Sequence, residues 1–275
     1  MNDAKLVPEA ASSPTGDGDD HVRARLLSRV RQSIATHRVF HTIRRGDGSW
    51  NMGMHPGLLS KELRADPQGQ TLLLRVEAGH PVPWSQLMPH GAGTCVVELL
   101  VLSGALRSQA PQGLGGMGRL DYLLVGLQDA APPLWSTQST LLLIRISQAW
   151  ASPFGEISQG AQVHINEQRW APLRRGVSTK VLHEAKDLVS MLVWFEPGAV
   201  VPAHDHVHDE ECLMVDGDLF LGDVLLLEGE YQLAPRGTSH SELVSEHGCI
   251  VFFHGSIDPV LEDAAWCQEM HRTAV

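Results

Sequence analysis

The sequence predicts an all-β chain made of two copies of one barrel, and three observations carry that prediction. Short apolar runs recur between Gly and Pro signals from Trp50 onward, at 72–76, 96–102, 122–125, 141–146, 188–195, 212–215, 223–227 and 250–253. Many short strands at near-regular spacing mean a sandwich or barrel. The halves also repeat. Trp50 and Gly57 answer to Trp170 and Gly176, Lys61-Glu-Leu63 to Lys180-Val-Leu182, and Glu77-Ala-Gly79 to Glu196-Pro-Gly198. Gly198 follows Gly79 by 119 residues, whereas Gly217 follows Gly104 by 113, so the first copy carries about six extra residues around 88–93. A fixed offset of this length is the mark of a duplicated unit. Finally, 275 residues at 43% hydrophobic content suffice for two small cores.

In chain order, residues 1–20 hold Ala, Ser, Pro, Gly and Asp with almost no bulky apolar side chain and are expected to be a disordered tail. Asp19 or Asp20 can cap a following helix. Leu26, Leu27, Val30 and Ile34 then recur at helical spacing among arginines, which predicts an amphipathic helix over 21–36 within a helix-and-linker segment 21–45. Its apolar stripe is expected to dock on the main body or on a second subunit. The first barrel is placed at 46–148, a linker at 149–168 and the second barrel at 169–275. The Gly-rich run 113–118 lacks the Lys and the strand–helix context of a phosphate loop.

Bulk chemistry excludes several functions. A formal net charge of -11 and the want of a basic face beyond 23–45 argue against a nucleic-acid partner. No run of about 20 apolar residues offers a membrane span. The N-terminus is polar and lacks the apolar region of a secretory signal. The four cysteines, Cys95, Cys212, Cys249 and Cys267, form no Cys-x-x-Cys pair. Together these predict a cytoplasmic protein without a disulfide scaffold. Edge strands that want covering predict a homodimer.

Chemistry concentrates in residues 198–240. His204 and His206 alternate, so on a strand they share a face while Asp205 looks away. Glu210 follows after a short turn, and Pro235-Arg-Gly237 is a turn that brings in His240. Three imidazoles and a carboxylate suit a divalent Fe, Mn, Ni, Co, Zn or Cu ion, with one or two positions left for substrate or dioxygen. A lone histidine is ordinarily a core or surface residue; four donors at this spacing are poorly explained that way. His208 shares parity with His206, and Cys212 shares the face of Glu210 but reads equally as a small core residue. Tyr231, Trp194, Arg236 and His254 are further candidates to line a pocket, each also readable as packing or surface. Aligned through the repeat, the four donor positions in the first copy fall on Ser85, Leu87, Val97 and Ala131, so that barrel is expected to bind no metal. His90 and Glu98 remain there without forming a set.

The spacings G-x5-H-x-H-x3-E-x6-G (Gly198, His204, His206, Glu210, Gly217) and G-x5-P-x-G-x2-H (Gly229, Pro235, Gly237, His240) resemble the two cupin motifs. Glu211 is the alternative carboxylate, but the count to Gly217 favours Glu210. Val244 stands where the second motif usually ends in Asn. Trp170, Gly176-Val, Asp-Glu-Glu-Cys-Leu-Met-Val-Asp-Gly, Tyr231-Gln-Leu-Ala-Pro and Gly-Thr-Ser-His are similar to the ChrR-type cupin, and the resemblance spans about residues 21–255. It implies two double-stranded β-helix (jelly-roll) barrels in tandem behind a short N-terminal helix. It also implies one divalent ion, Fe, Mn, Zn or Ni, on His204, His206, Glu210 and His240, with Glu210 a candidate base. Members of that family include zinc-dependent anti-sigma factors, free-standing metalloproteins and relatives that cleave carbon–carbon bonds of ketones with dioxygen. The His-x3-Cys-x2-Cys motif of the anti-sigma domain has no counterpart here, which argues against a sigma-factor partner. The ketone-cleaving relatives use three histidines without the glutamate, whereas Glu210 is present. The sequence reading is therefore a metal-dependent enzyme of oxygenase type acting on a small molecule, with a ChrR-like sensor or a Zn/Mn Lewis-acid isomerase or lyase as alternatives.

Overall fold

A computed structural model describes residues 23–28, 30–31, 38–52, 55–87, 95–108, 115–127, 133–148 and 161–273. The expected tail 1–20, the six-residue insertion, His90 and Ala131 lie outside the described residues, as do parts of the 21–36 helix, the Gly-rich run and the linker. The chain divides into a unit up to Val39 and a larger unit from Phe40 to Val275. In the first, residues 23–28 and 30–31 are helical, as the spacing predicts, with Leu26, Leu27 and Val30 exposed.

The larger unit is all-β, two barrels in tandem. One seven-stranded sheet runs Ala161–Val163, Tyr122–Leu127, Cys95–Ser103, Thr140–Gln148, Gly69–Val76, Leu58–Asp66, Asn51–Met52. The main path of the other runs His41–Ile43, Tyr231–Ala234, Glu210–Leu221, Cys249–Gly255, Leu188–Phe195, Val177–Ala185, Ala171–Arg174. The two orders correspond strand for strand. So do their irregularities: the register shift between Glu62 and Arg64 answers to that between Val181 and His183, and Val101/Ser103 answers to Met214/Asp216. Matched bulges are the structural imprint of the repeat. Gly104 and Gly217, paired by the shorter offset, both have positive φ, and a Cβ on Gly217 would meet the Gly248 carbonyl oxygen at 2.2 Å. Only glycine fits such a place.

One feature of the topology departs from the sequence reading. Residues 41–43 and 161–163 fall in what that reading treats as linkers, yet each is an edge strand, and each belongs to the sheet of the other half. His41–Ile43 pairs with Tyr231–Ala234, and Ala161–Val163 pairs with Tyr122–Leu127. The exchange is reciprocal, with Ile43 opposite Tyr231 and Val163 opposite Tyr122. Each arm is latched by a buried lysine: Lys61 Nζ donates to the Arg44 and Arg45 carbonyls, and Lys180 Nζ to that of Ile165. Three-residue strands carry too little periodicity to be read from sequence.

Three cores result. Leu58, Val97, Leu99 and Ile144 help fill the first barrel, and Met191, Val193, Leu219 and Phe253 the second. A third cluster, with Leu100, Tyr122, Leu143, Leu192, Leu213, Tyr231 and Phe252, draws on both halves and forms the seam between them. Strand alternation sends successive residues to barrel and seam. A C-terminal helix, Ala264–Thr273, was not foreseen; Asp263 Oδ1 accepts from Trp266 N at 3.0 Å at its start, and it packs beside the edge strand Ala171–Arg174. No helix among the described residues is long and apolar enough to cross a membrane.

Candidate metal centre

His204 lies on the short strand His204–Asp205, which pairs with Ser239–His240 so that His204 and His240 stand directly opposite. Residues opposite one another across a ladder share a face. The loop between His206 and the turn at Gly237 is closed by two backbone bonds, His206 N to Thr238 O at 2.9 Å and Gly237 N to His206 O at 2.7 Å. Gly237 takes the positive φ this turn demands. Glu210 opens the long strand Glu210–Leu221 and points to the same place.

The four predicted residues converge and are all buried. A donor atom from each of His204, His206 and Glu210 lies within 4.8 Å of the other two. His204 Nε2 and His206 Nε2 are each 3.8 Å from Glu210 Oε2, and His240 Nε2 is 3.7 Å from Oε1. Donors about 2.1 Å from one ion are about 3 Å apart at right angles and about 4 Å apart when opposite, so these separations suit a single shared ion. The ring centroids of the histidines are 4.7 to 5.6 Å apart, edge to face.

Hydrogen bonds settle which nitrogens are available. His204 Nδ1 meets the Pro202 carbonyl at 3.1 Å, and a carbonyl can only accept. Thr238 Oγ1 donates to Pro235 O at 2.6 Å and therefore accepts from His206 Nδ1 at 2.8 Å. Both rings are thus held as Nδ1–H tautomers with Nε2 bare, the usual arrangement behind a metal-bound histidine. His206 Nε2 and both nitrogens of His240 are buried without a hydrogen-bond partner. Such orphans are costly unless something absent from the polypeptide satisfies them. The donor set fits a divalent transition metal by chemistry and by this vacancy of partners.

Electrostatics agree. Burial pushes His240 down to about 4 and also lowers His206, against the pull of Glu210. Glu210 is held below its usual range: burial opposes ionisation, but the surrounding His204, His206 and His240 imidazoles outweigh it. His204 is raised instead, burial being outweighed by the nearby Glu210 carboxylate.

The remaining candidates separate. Cys212 does touch the site, its Sγ donating to Glu210 Oε1 at 3.8 Å, and burial followed by the Glu210 charge keeps its thiol protonated. Tyr231 does not. It sits opposite Leu213 on the seam face, and its hydroxyl donates to Glu211 at 2.8 Å. Trp194 alternates with Val193 and Phe195, which fill the barrel, so it turns outward, 39% exposed, against Trp170. His208, Arg236 and His254 line a different space, a seam cavity of about 210 Å³ beside Arg64 and Arg145. Glu211, the alternative carboxylate, also faces the seam, where Arg145, Arg64, Thr71 and Tyr231 all donate to it. Sequence reasoning missed Phe40. It is 6% exposed, with its ring centroid 4.8 Å from that of His240 and 6.2 Å from that of His206, carried there by the arm His41–Ile43. No spacing could find it, because it lies more than 150 residues from the motif.

In the first barrel the equivalent of the histidine strand is a helical turn, Trp84–Leu87, carrying Ser85 and Leu87. Leu87 and Val97 are buried in its core, with Trp84 packed against it.

This architecture defines the class by fold: the chain has the tandem cupin fold, two all-β barrels with a histidine- and glutamate-lined site in the second. Residues 158–257, most of the second barrel, match the family described as the ChrR cupin-like domain. The pectin degradation protein KdgF of Dickeya dadantii is 27% identical over 94 residues, covering 34% of this chain and 82% of that protein. Over most of the chain, a Pseudomonas aeruginosa protein named as a putative glyoxylate-induced protein superposes with a TM-score of 0.63 at 13% identity, covering 80% of this chain and 89% of that one. Oxalate decarboxylase from Bacillus subtilis does so with a TM-score of 0.53 at 13% identity, covering 79% and 76%. At such identities the likeness concerns the fold alone.

Proposed function

We propose that the second barrel binds one divalent metal, Fe, Mn, Zn or Ni, through His204, His206, Glu210 and His240, and that the protein is a metal-dependent enzyme of oxygenase type acting on a small organic molecule. The observation that carries this reading is the buried donor set whose His206 Nε2 and His240 Nε2 have no partner in the polypeptide. When bound, such a metal supplies Lewis acidity or one-electron chemistry toward an oxygen-bearing substrate. The chain's own contribution is to hold the Nε2 atoms of His204 and His206 bare through Pro202 and Thr238, to keep water out with Phe40 and the barrel core, and to present the Glu210 carboxylate as a candidate base. The first barrel, with Ser85, Leu87 and Val97 at the equivalent places, acts as a structural partner and binds no metal.

The ChrR-type segment favours a second reading, a non-catalytic metal sensor. Anaerobic purification and elemental analysis come first, followed by oxygen uptake with a panel of diketones, aryl ketones, oxalate and pectin-derived sugar acids. Iron or manganese with substrate-dependent oxygen uptake is the expected result. Tightly held zinc without turnover of any panel member moves the protein to the sensor reading. Protein that holds no metal, and whose melting temperature chelators leave unchanged, removes both.

A further inference from the structure

Arg64 belongs to the first barrel, in the strand Leu58–Asp66, yet its guanidinium reaches the metal loop of the second. Nη2 donates to Asp209 Oδ2 at 2.9 Å and Nη1 to Glu211 Oε1 at 3.0 Å. These residues flank Glu210, so one planar fork grips both sequence neighbours of a predicted ligand. Nε is tied back to Asp66 Oδ2 at 2.5 Å, which fixes the fork itself. The other oxygen of Asp209 accepts from Arg236 N at 2.9 Å, in the turn that leads to His240. A single side chain thereby connects both metal loops to the opposite barrel.

The internal repeat supplies a control. The matched bulges place His183 at the position equivalent to Arg64. On the side that His183 faces, Val96, Val97 and Glu98 take the places of Asp209, Glu210 and Glu211. Where the ligand is gone, the arginine fork and one of its two anchors are gone as well, while the seam glutamate stays. Holding the halves together therefore does not require the fork. What distinguishes its side is Glu210.

We propose that Arg64 is a positioning residue for the metal site: the first barrel sets the place of Glu210 in the second. The inference rests on the metal reading above and adds a role for the first barrel. With Asp209 and Glu211 pinned, the backbone at Glu210 cannot shift, and its carboxylate reaches the ion at one distance. Groups behind a ligand typically contribute about 10- to 100-fold to metal affinity. A lysine does not replace this grip, because an ammonium is a point charge and cannot span two carboxylates as a fork does.

The test uses the full chain and Co(II). Wild type, Arg64→Lys, Arg64→Met and Asp209→Asn are compared with Arg119→Ala, which removes another cross-seam pair, Arg119 with Asp216, away from the metal loops. Affinity is read by chelator competition, ligand geometry by the Co(II) absorption spectrum, and metal-free stability by urea unfolding. Both Arg64 variants are expected to bind Co(II) about 10- to 100-fold more weakly with a changed spectrum, and Arg119→Ala to bind as wild type. Asp209→Asn, which leaves the pair with Glu211 intact, is expected to show a smaller loss in the same direction and keeps the test open if Arg64→Met does not fold. Variants that lose metal-free stability yet keep wild-type affinity and spectrum overturn the positioning role while leaving the metal reading standing. Wild type that takes up no Co(II) overturns the metal reading itself.

Discussion

Arg145→Met is the most informative single change in the seam. Arg145 is buried and donates through Nε to Glu211 Oε1 at 3.0 Å and through Nη1 to Glu98. Glu98 also accepts from Tyr122 at 2.9 Å and from Ser190, while Glu211 accepts from Tyr231 at 2.8 Å and Thr71 at 2.6 Å. The cluster is a pseudo-twofold device in which each carboxylate takes one hydroxyl from its own barrel and one from the other. Arg145 is the cation shared by both, and without it two buried carboxylates face each other with Arg64 on only one of them. Breaking a buried pair by removing one partner costs about 3 to 5 kcal/mol. For a unit of this size each kcal/mol shifts the midpoint by about 2 to 4 °C, so metal-free protein at pH 7 is expected to melt about 10 °C lower. Adding Glu98→Gln to Arg145→Met removes one uncompensated charge and is expected to restore part of the loss. The loss is also expected to shrink as pH falls toward 5, because orphaned buried carboxylates then take up protons. The exposed pair Arg45–Glu228 is the comparison, since removing such a surface pair changes stability by about 0 to 1 kcal/mol. Arg145→Met costing no more than that control, or gaining nothing from Glu98→Gln, refutes the view that the seam is held by a desolvated charge cluster.

Two further predictions follow from the same geometry. His254 is pushed down to about 4 by burial and then by Arg145, against the pull of Glu98 and Glu211. The unfolded chain therefore takes up a proton between about pH 6.5 and 4 that the folded chain refuses. Stability from this group is complete above about pH 6.5 and is lost as pH falls toward 4, amounting to about 3 kcal/mol. Comparing metal-free wild type with His254→Asn by urea unfolding from pH 7 to 4.5 is expected to show a shallower slope in the variant, and identical slopes refute the assignment. Phe40→Ala empties the space beside His240 and His206. It is expected to cost about 3 kcal/mol and to speed removal of metal by chelators; an unchanged removal rate sinks its role as a wall of the site.

What the sequence made legible follows from how far each signal reaches along the chain. Strands of six to nine residues such as Leu188–Phe195 and Cys95–Ser103 alternate long enough to be recognised, and the offsets of 119 and 113 identify the duplication without any three-dimensional information. The exchanged arms were not legible. His41–Ile43 and Ala161–Val163 owe their extended form to the edges they complete, and those edges, at Tyr231–Ala234 and Tyr122–Leu127, are far away in sequence. Tertiary pairing rather than local propensity decides such segments. The helix Ala264–Thr273 stands beside an edge strand, and its local pattern gave no comparable warning.

The site divides along the same line, and the pair Glu210–Glu211 shows why. Motif spacing chooses the first of them, but only the pleat explains the choice. Side chains alternate across the sheet, so Glu210 enters the barrel with Cys212 while Glu211 enters the seam with Leu213. Tyr231 stays open between pocket and packing in the sequence for the same reason: its parity becomes known only once its ladder partner, Leu213, is known. The two faces are not independent. The carboxylate proposed as a metal donor on one side of the strand is one peptide away from a carboxylate neutralised by arginines on the other. A change at the seam is thereby delivered to Glu210 through a single residue of extended chain. On the proposal made above, the first barrel thereby has a part in the chemistry of its twin that no list of ligands contains.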